Sequence, residues 1–321
     1  MGAQYTWAVN ASSAKTINAG AYFSTIVSGP PGFSSIALTT DTTGILAPYP
    51  QIWTKVDGGP EVRHVLAPGN PTINVSLCVP TCSASPLHLL QVIVKSQTET
   101  KSRWSPQTTK VEITGIEGVT GPLALPRRKK YNVLIYGDSI TEGVRTMGYQ
   151  GIPDDTDRND AVRDYSYQLY ESLPIEIGIV AFGGSGFTHD GSGKVPPLIQ
   201  SWNQLWDGEP RKFDPPPDLV IYNEGTNDGS KDVTAQFVTV VKALQKAAPK
   251  AKQLLLLPFN GVCKSVKKVV AQIGSPDVVF GDTSGFYNGE NGLHPFGYNH
   301  ISQIAPKVAE LAAPLLMGGK E

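Results

Sequence analysis

Val133-Leu134-Ile135-Tyr136-Gly137-Asp138-Ser139-Ile140-Thr141-Glu142-Gly143 is the stretch that decides how this 321-residue chain folds. Residues 133–136 are apolar without alternation, as expected of a strand buried on both faces of a parallel sheet. Glycine follows at once, and then Asp138 and Ser139, residue types that open helices. The stretch therefore reads as strand, tight turn and helix. It places the Ser139 hydroxyl at the carboxyl end of a strand, beside helix N–H groups that have no partner within the helix.

Toward the C-terminus the pattern repeats. Residues 175–181, 219–222, 254–258 and 278–280 are further short apolar runs. Helical stripes lie between and after them: Val233, Phe237, Val240, Val241 and Leu244, then Ile301, Ile304, Val308 and Leu311. This alternation predicts an α/β fold, a doubly wound parallel five-stranded sheet with right-handed crossovers.

Toward the N-terminus the composition changes near residue 126. Residues 22–27, 35–39, 52–56, 72–79, 89–95 and 111–116 are short β-type runs separated by turn signals, with no convincing helix among them. In 72–79, Ile73, Val75, Leu77 and Val79 alternate with Asn74, Ser76 and Cys78, the pattern of a half-buried strand. Asp57-Gly58-Gly59-Pro60 supplies positive-φ turn residues. An antiparallel, jelly-roll-like β-sandwich is expected here. The chain thus divides into a β domain, 1–126, and an α/β domain, 127–321. Residues 122–130, with Arg127-Arg128-Lys129-Lys130, read as a solvated connector in preference to a nuclear address.

A formal net charge of −1 sets up no field to gather phosphates or anionic lipid. With 33 glycines and 26 prolines, a helical bundle is excluded. No apolar run approaches the roughly 18 residues of a spanning helix. Neither nucleic acid nor membrane is an expected partner, and the oligomeric state is left open. Three cysteines form no disulfide scaffold and no zinc spacing, although Cys78 and Cys82 are close enough to bridge and Cys263 stands alone. Residues 1–5 lack a basic start and an apolar core, so either the chain is cytosolic or a signal has been removed. The sequons Asn10-Ala11-Ser12 and Asn74-Val75-Ser76 favour secretion.

In an open parallel sheet the reactive groups belong to loops at the carboxyl ends of the strands. After Ser139, the second such loop is Phe182-Gly183-Gly184-Ser185-Gly186-Phe187-Thr188 and the third is Glu224-Gly225-Thr226-Asn227-Asp228-Gly229. Glycine-permitted N–H groups and an amide are what an oxyanion requires. A serine nucleophile also needs a base. His64 and His88 lie in the β domain, His300 suits packing in the last helix, and His189 follows the second loop. His294, within Asn291-Gly292-Leu293-His294-Pro295, is the best placed of the five histidines.

These four blocks, in this order, resemble the GDSL-type or SGNH hydrolase superfamily over residues 132–316. The resemblance implies Ser139 as nucleophile and His294 as general base, with no metal or organic cofactor. It implies an oxyanion hole made of the Ser139 N–H, the Gly186 N–H and the Asn227 amide. Gly186 is matched because the family's second block runs Ser-Gly. A β domain ahead of such a hydrolase resembles the two-domain carbohydrate esterases of family two, which implies short acyl groups, acetyl above all, on carbohydrate. One position departs from the pattern: Asn291 stands where the superfamily carries the aspartate that orients the histidine. A backbone carbonyl, Glu290 or another acid could take that role, and a dyad with a neutral orienter is the favoured reading. Asp138, Trp202 and Trp206 are the substrate-binding candidates, the tryptophans four apart on a predicted helix as a wall for a sugar ring. Rival readings are a lipase or thioesterase acting on longer chains, and a carbohydrate-binding protein without catalysis.

Overall fold

The computed structural model describes residues 5–29, 32–77, 86–148, 150–259, 263–290 and 292–318. In its first part, β1 (Ala8–Val9), β2 (Ala14–Thr16), β3 (Tyr22–Ser28), β4 (Ser35–Thr40), β5 (Gln51–Val56), β6 (Val62–Val65), β7 (Thr72–Ser76), β8 (Leu87–Ser96) and β9 (Val111–Glu117) build two antiparallel sheets. Their orders are β1-β2-β9-β4-β7 and β3-β8-β5-β6. Val27, Leu38, Ile52, Val92 and Val111 fill the space between them. The alternation read in β7 holds, with Ile73, Val75 and Leu77 buried and Asn74 and Ser76 exposed. Cys78, Val79 and Cys82 lie outside the described residues. The turn from β5 to β6 has positive φ at Asp57 (52°) and Gly58 (73°), the twist that joins antiparallel strands tightly. Sequence patterning missed β1 and β2, which are too short to show a period, and β6, an edge strand whose Arg63 and His64 hide its character.

The second part contains β10 (Tyr131–Gly137), β11 (Ile175–Ala181), β12 (Gln204–Trp206), β13 (Glu209–Pro210), β14 (Leu219–Asn223), β15 (Lys252–Leu256) and β16 (Val278–Gly281). Strands β12 and β13 make a small ribbon, and the others form a parallel sheet ordered β11-β10-β14-β15-β16. From β10 the chain crosses to β11 on one side and then to β14 on the other. The crevice for a ligand therefore opens beyond the carboxyl end of β10. The helices are α1 (Ser139–Glu142), α2 (Asp155–Arg158), α3 (Tyr165–Ser172), α4 (Leu198–Ser201), α5 (Thr234–Ala247), α6 (Ser265–Ile273), α7 (Gly297–Asn299) and α8 (Ala305–Met317). None is long and apolar enough to cross a membrane.

Phe237, Val240, Val241 and Leu244 recur at helical spacing, so α5 buries one stripe with α6 against one face of the sheet. Leu169 of α3 and Val308 and Ala312 of α8 cover the other face. The last stripe fails at one position, for Ile301 is 41% exposed whereas Ile304 and Val308 are fully buried. Residues 300–304 form a π-helical turn, and its extra residue rotates Ile301 out of phase with α8.

The β region packs directly on the α/β region. Tyr5, Ile17 and Trp104 join the core on one face of the parallel sheet, and Tyr22 and Ile93 join that on the other. The Tyr22 hydroxyl donates to Glu176 at 2.6 Å and accepts the Ile177 N–H at 3.2 Å. Residues 122–130, read as a solvated connector, are pinned at both ends. Ala124 exchanges backbone hydrogen bonds with Ile26 at 2.7 and 3.2 Å, and Lys129 reaches the Tyr170 carbonyl.

Candidate active site

Strand β10 ends at Gly137, where a Cβ would come within 2.2 Å of Thr141 Oγ1, so glycine alone permits so sharp a turn into α1. Asp138 caps the helix, its Oδ1 accepting the Ile140 N–H at 2.9 Å. Ser139 is the first helical residue and is 5% exposed. Its Oγ lies 2.9 Å from His294 Nε2, 155 residues away in the chain. Burial, and then the charge of Arg145, push the His294 imidazole down to about 4. Both influences disfavour the imidazolium. A ring so depressed is neutral at pH 7, and with Nε2 unprotonated it accepts the Ser139 hydroxyl. Arg145 has φ +61°, a strained conformation for a side chain of its kind, with its N–H held by Asn159 Oδ1 at 2.9 Å.

The second and third loops interlock beside this pair. One hydrogen of the Asn227 amide goes to the Ser185 carbonyl at 2.8 Å. The Asp228 carboxylate accepts the Phe187 N–H at 2.7 Å, and the Thr188 N–H and hydroxyl at 2.8 and 2.7 Å. Sequence reading gave Asp228 no role, although it directly follows Asn227. The Gly186 N–H donates to the His189 carbonyl at 3.0 Å, within its own loop. What the position demands is a missing Cβ, which would sit 2.6 Å from Asp228 Oδ2.

Beneath Ser139 the acids Asp138, Asp164 and Glu224 are all buried. Burial raises each of them, Asp138 to about 6 and the other two well above the ordinary carboxylate range. Among the described residues no group of three or more His, Cys, Asp or Glu side chains is placed to hold a metal.

With these loops at the strand ends, the profile of GDSL-like Lipase/Acylhydrolase matches residues 133–312. The chain belongs to this GDSL-like family, and it is a carboxylic ester hydrolase. It is 24% identical over 251 residues to an acetylxylan esterase/glucomannan deacetylase of Cellvibrio japonicus, covering 70% of this chain and 67% of that one. Its fold matches a family two carbohydrate esterase from Cellvibrio japonicus with a TM-score of 0.76 at 20% identity, over 96% of this chain and 94% of that one. It also matches a family two carbohydrate esterase from Clostridium thermocellum in complex with cellohexaose, with a TM-score of 0.71 at 18% identity, over 97% and 98%.

Other expected residues of this GDSL-like hydrolase lie elsewhere. Asp138 is enclosed as a cap and fully buried. Helix α4 stops at Ser201, so Trp202 and Trp206 do not share a helical face. Trp206 is buried in the sheet core with Lys15 4.2 Å over its ring, and half-buried Trp202 stacks on Phe213 at 6.0 Å. Both rings pack against neighbouring side chains. His300 is wholly buried, stacked on Tyr165, with Nδ1 3.2 Å from Asp164 Oδ2. His189 Nδ1 is held within its own loop by the Gly184 and Asp190 carbonyls, each at 2.8 Å. The Glu290 carboxylate holds Tyr298 and, at 2.9 Å, Asn299. Asn291 lies outside the described residues.

The depressed imidazole has a kinetic consequence. The base form of His294 is lost only as pH falls through about 4, so the acid limb of kcat/KM should fall there instead of near 6.5. Arg145→Met removes the opposing cation and should move that limb upward. A limb fixed at the same pH in the variant would show that burial alone sets it.

Proposed function

We propose that this chain is a serine esterase that removes short acyl groups, chiefly acetyl, from carbohydrate. Ser139 is its nucleophile and His294 its general base. The observation that carries the reading is the 2.9 Å contact between Ser139 Oγ and a neutral His294 Nε2 at the switch point of the sheet. As Oγ attacks the acyl carbon, its proton passes to Nε2 and the carbonyl π electrons move onto oxygen. The oxyanion takes the Ser139 N–H and the second hydrogen of the Asn227 amide, whose first is fixed on Ser185. The bond to the alcohol breaks and His294 returns the proton to the leaving oxygen. Water, deprotonated by the same ring, then releases the acid.

Carbohydrate as the substrate class is supported by the acetylxylan esterase relative and by fold likeness to two family two carbohydrate esterases, along nearly the whole chain. Residues 1–126 and 127–321 are read as the two units of that architecture. Leu293, next to His294 in the chain, and Tyr298 are exposed apolar side chains, and they favour longer acyl chains as the second reading. Rates on p-nitrophenyl esters from acetate to octanoate decide between them, with Ser139→Ala as the blank. The first reading expects a maximum at acetate and acetate release from acetylated xylo-oligosaccharides; a maximum at octanoate supports the second. Secretion is supported by exposed Asn10 and Asn74 in their sequons. Natively produced protein with free thiols at Cys78 and Cys82 and no added glycan mass would contradict it.

A further inference from the structure

A buried arginine from the β region reaches the back of the candidate oxyanion site. Arg103 is fully buried, and its guanidinium bonds the carboxylate of Glu142, itself 1% exposed and three residues after Ser139. Its other donors go to the Thr98 carbonyl at 3.0 Å and the Gln97 carbonyl at 3.2 Å. The second Glu142 oxygen accepts the Gly183 N–H at 2.7 Å. Gly183 opens the loop whose Ser185 carbonyl fixes the Asn227 amide. The same loop is tied again farther on, for Ser192 N–H donates to the Gly183 carbonyl at 2.5 Å and Arg103 N–H to the Gly193 carbonyl at 2.8 Å. Gly193 has φ +71°, and a Cβ there would come 2.7 Å from Arg103 Cγ and 3.0 Å from the Lys101 carbonyl. Glycine is what allows the two segments to approach so closely.

Desolvation offsets most of what a buried ion pair contributes to stability, so stability alone does not account for this one. What a planar guanidinium fork fixes well is direction. Arg103 takes its own direction from the 97–98 carbonyls, Glu142 takes its direction from Arg103, and the loop takes its place from Glu142.

We propose that Arg103 is a positioning residue for the ester hydrolysis, setting the 183–187 loop through Glu142 and the Asn227 amide through Ser185, so that the β region completes the oxyanion site. The proposal rests on the role assigned to Asn227 above. Because a displacement of about 1 Å at a reacting centre can cost about 10²-fold, loss of this chain of contacts should lower kcat by about 10–100-fold with KM little changed.

The test uses the full chain as wild type, Arg103→Met, Arg103→Lys and the double variant Arg103→Met with Glu142→Gln, assayed on p-nitrophenyl acetate and melted in parallel. Arg103→Met leaves Glu142 buried and unpaired, so both Tm and kcat should fall. The double variant replaces the orphaned buried carboxyl with a neutral amide and should regain most of the Tm while its kcat stays low. Arg103→Lys, which keeps the charge without the fork, should lie between. Should Arg103→Met fail to fold, the double variant carries the test. A double variant whose kcat recovers together with its Tm overturns the proposal, as does a rise in KM at unchanged kcat. A wild type lacking Ser139-dependent turnover overturns the reading of the site and this proposal with it. Ser139-dependent turnover alongside a fully active double variant overturns this proposal alone.

Discussion

His294→Ala should lower kcat on an acetyl ester by roughly 10⁶-fold, the scale seen when a serine hydrolase loses its base. Among the described residues, His294 is the base that contacts Ser139 Oγ. Of the other histidines, His300 is enclosed against Tyr165 and Asp164, and His189 is held in its own loop. A serine hydroxyl without a base is a poor nucleophile at neutral pH, so almost all turnover depends on this one contact. Glu290→Gln should be mild, less than about tenfold, because its carboxylate is occupied by Tyr298 and Asn299. Asn291→Ala should also be mild, and Asn291→Asp should raise kcat by stabilising the imidazolium. Steady-state kinetics of these four variants on one substrate separate a neutral orienter from a charged one. Loss in Glu290→Gln as deep as in His294→Ala would make Glu290 the third member of a triad.

Asn227→Ala should reduce kcat by about 10²–10³-fold, equivalent to about 2.7–4 kcal/mol in the barrier, with KM nearly constant. The amide is already oriented by its bond to Ser185, so its second hydrogen needs no reorganisation when charge develops on the substrate oxygen. On the proposed reading, with the Gly186 N–H engaged by His189, the Ser139 N–H and the Asn227 amide are the two donors to the oxyanion. The loss on removing Asn227 should therefore lie toward the upper end of that range. A rise in KM at constant kcat would instead make Asn227 a ground-state contact. Gly186→Ala is no substitute for this experiment, because its Cβ would displace Asp228 and disturb the loop as a whole.

The sheet was legible because strands buried on both faces leave uninterrupted apolar runs, and each of those runs became a strand of the parallel sheet. The meeting of Ser139 and His294 was legible because each sits in a short motif at a strand end or before the last helix. Other features were not legible, for separate physical causes. A motif names Gly186 but does not say which partner its N–H takes, and in the fold that partner is the His189 carbonyl across the loop. Spacing by four suggested one helical face for Trp202 and Trp206, whereas the chain leaves α4 between them. Arg103 gave no signal, lying in a serine- and threonine-rich stretch 39 residues before its partner Glu142. Its role emerges only once the β region is folded against the α/β region.

The central claim is that Ser139 carries the acyl group between the two half-reactions. Rapid acid quenching during turnover of p-nitrophenyl acetate, followed by peptide mass mapping, tests this most directly. The account predicts an acetyl group on the peptide containing Ser139, absent from Ser139→Ala and formed far more slowly in His294→Ala. An acetyl group on another residue, or turnover undiminished in Ser139→Ala, would contradict it.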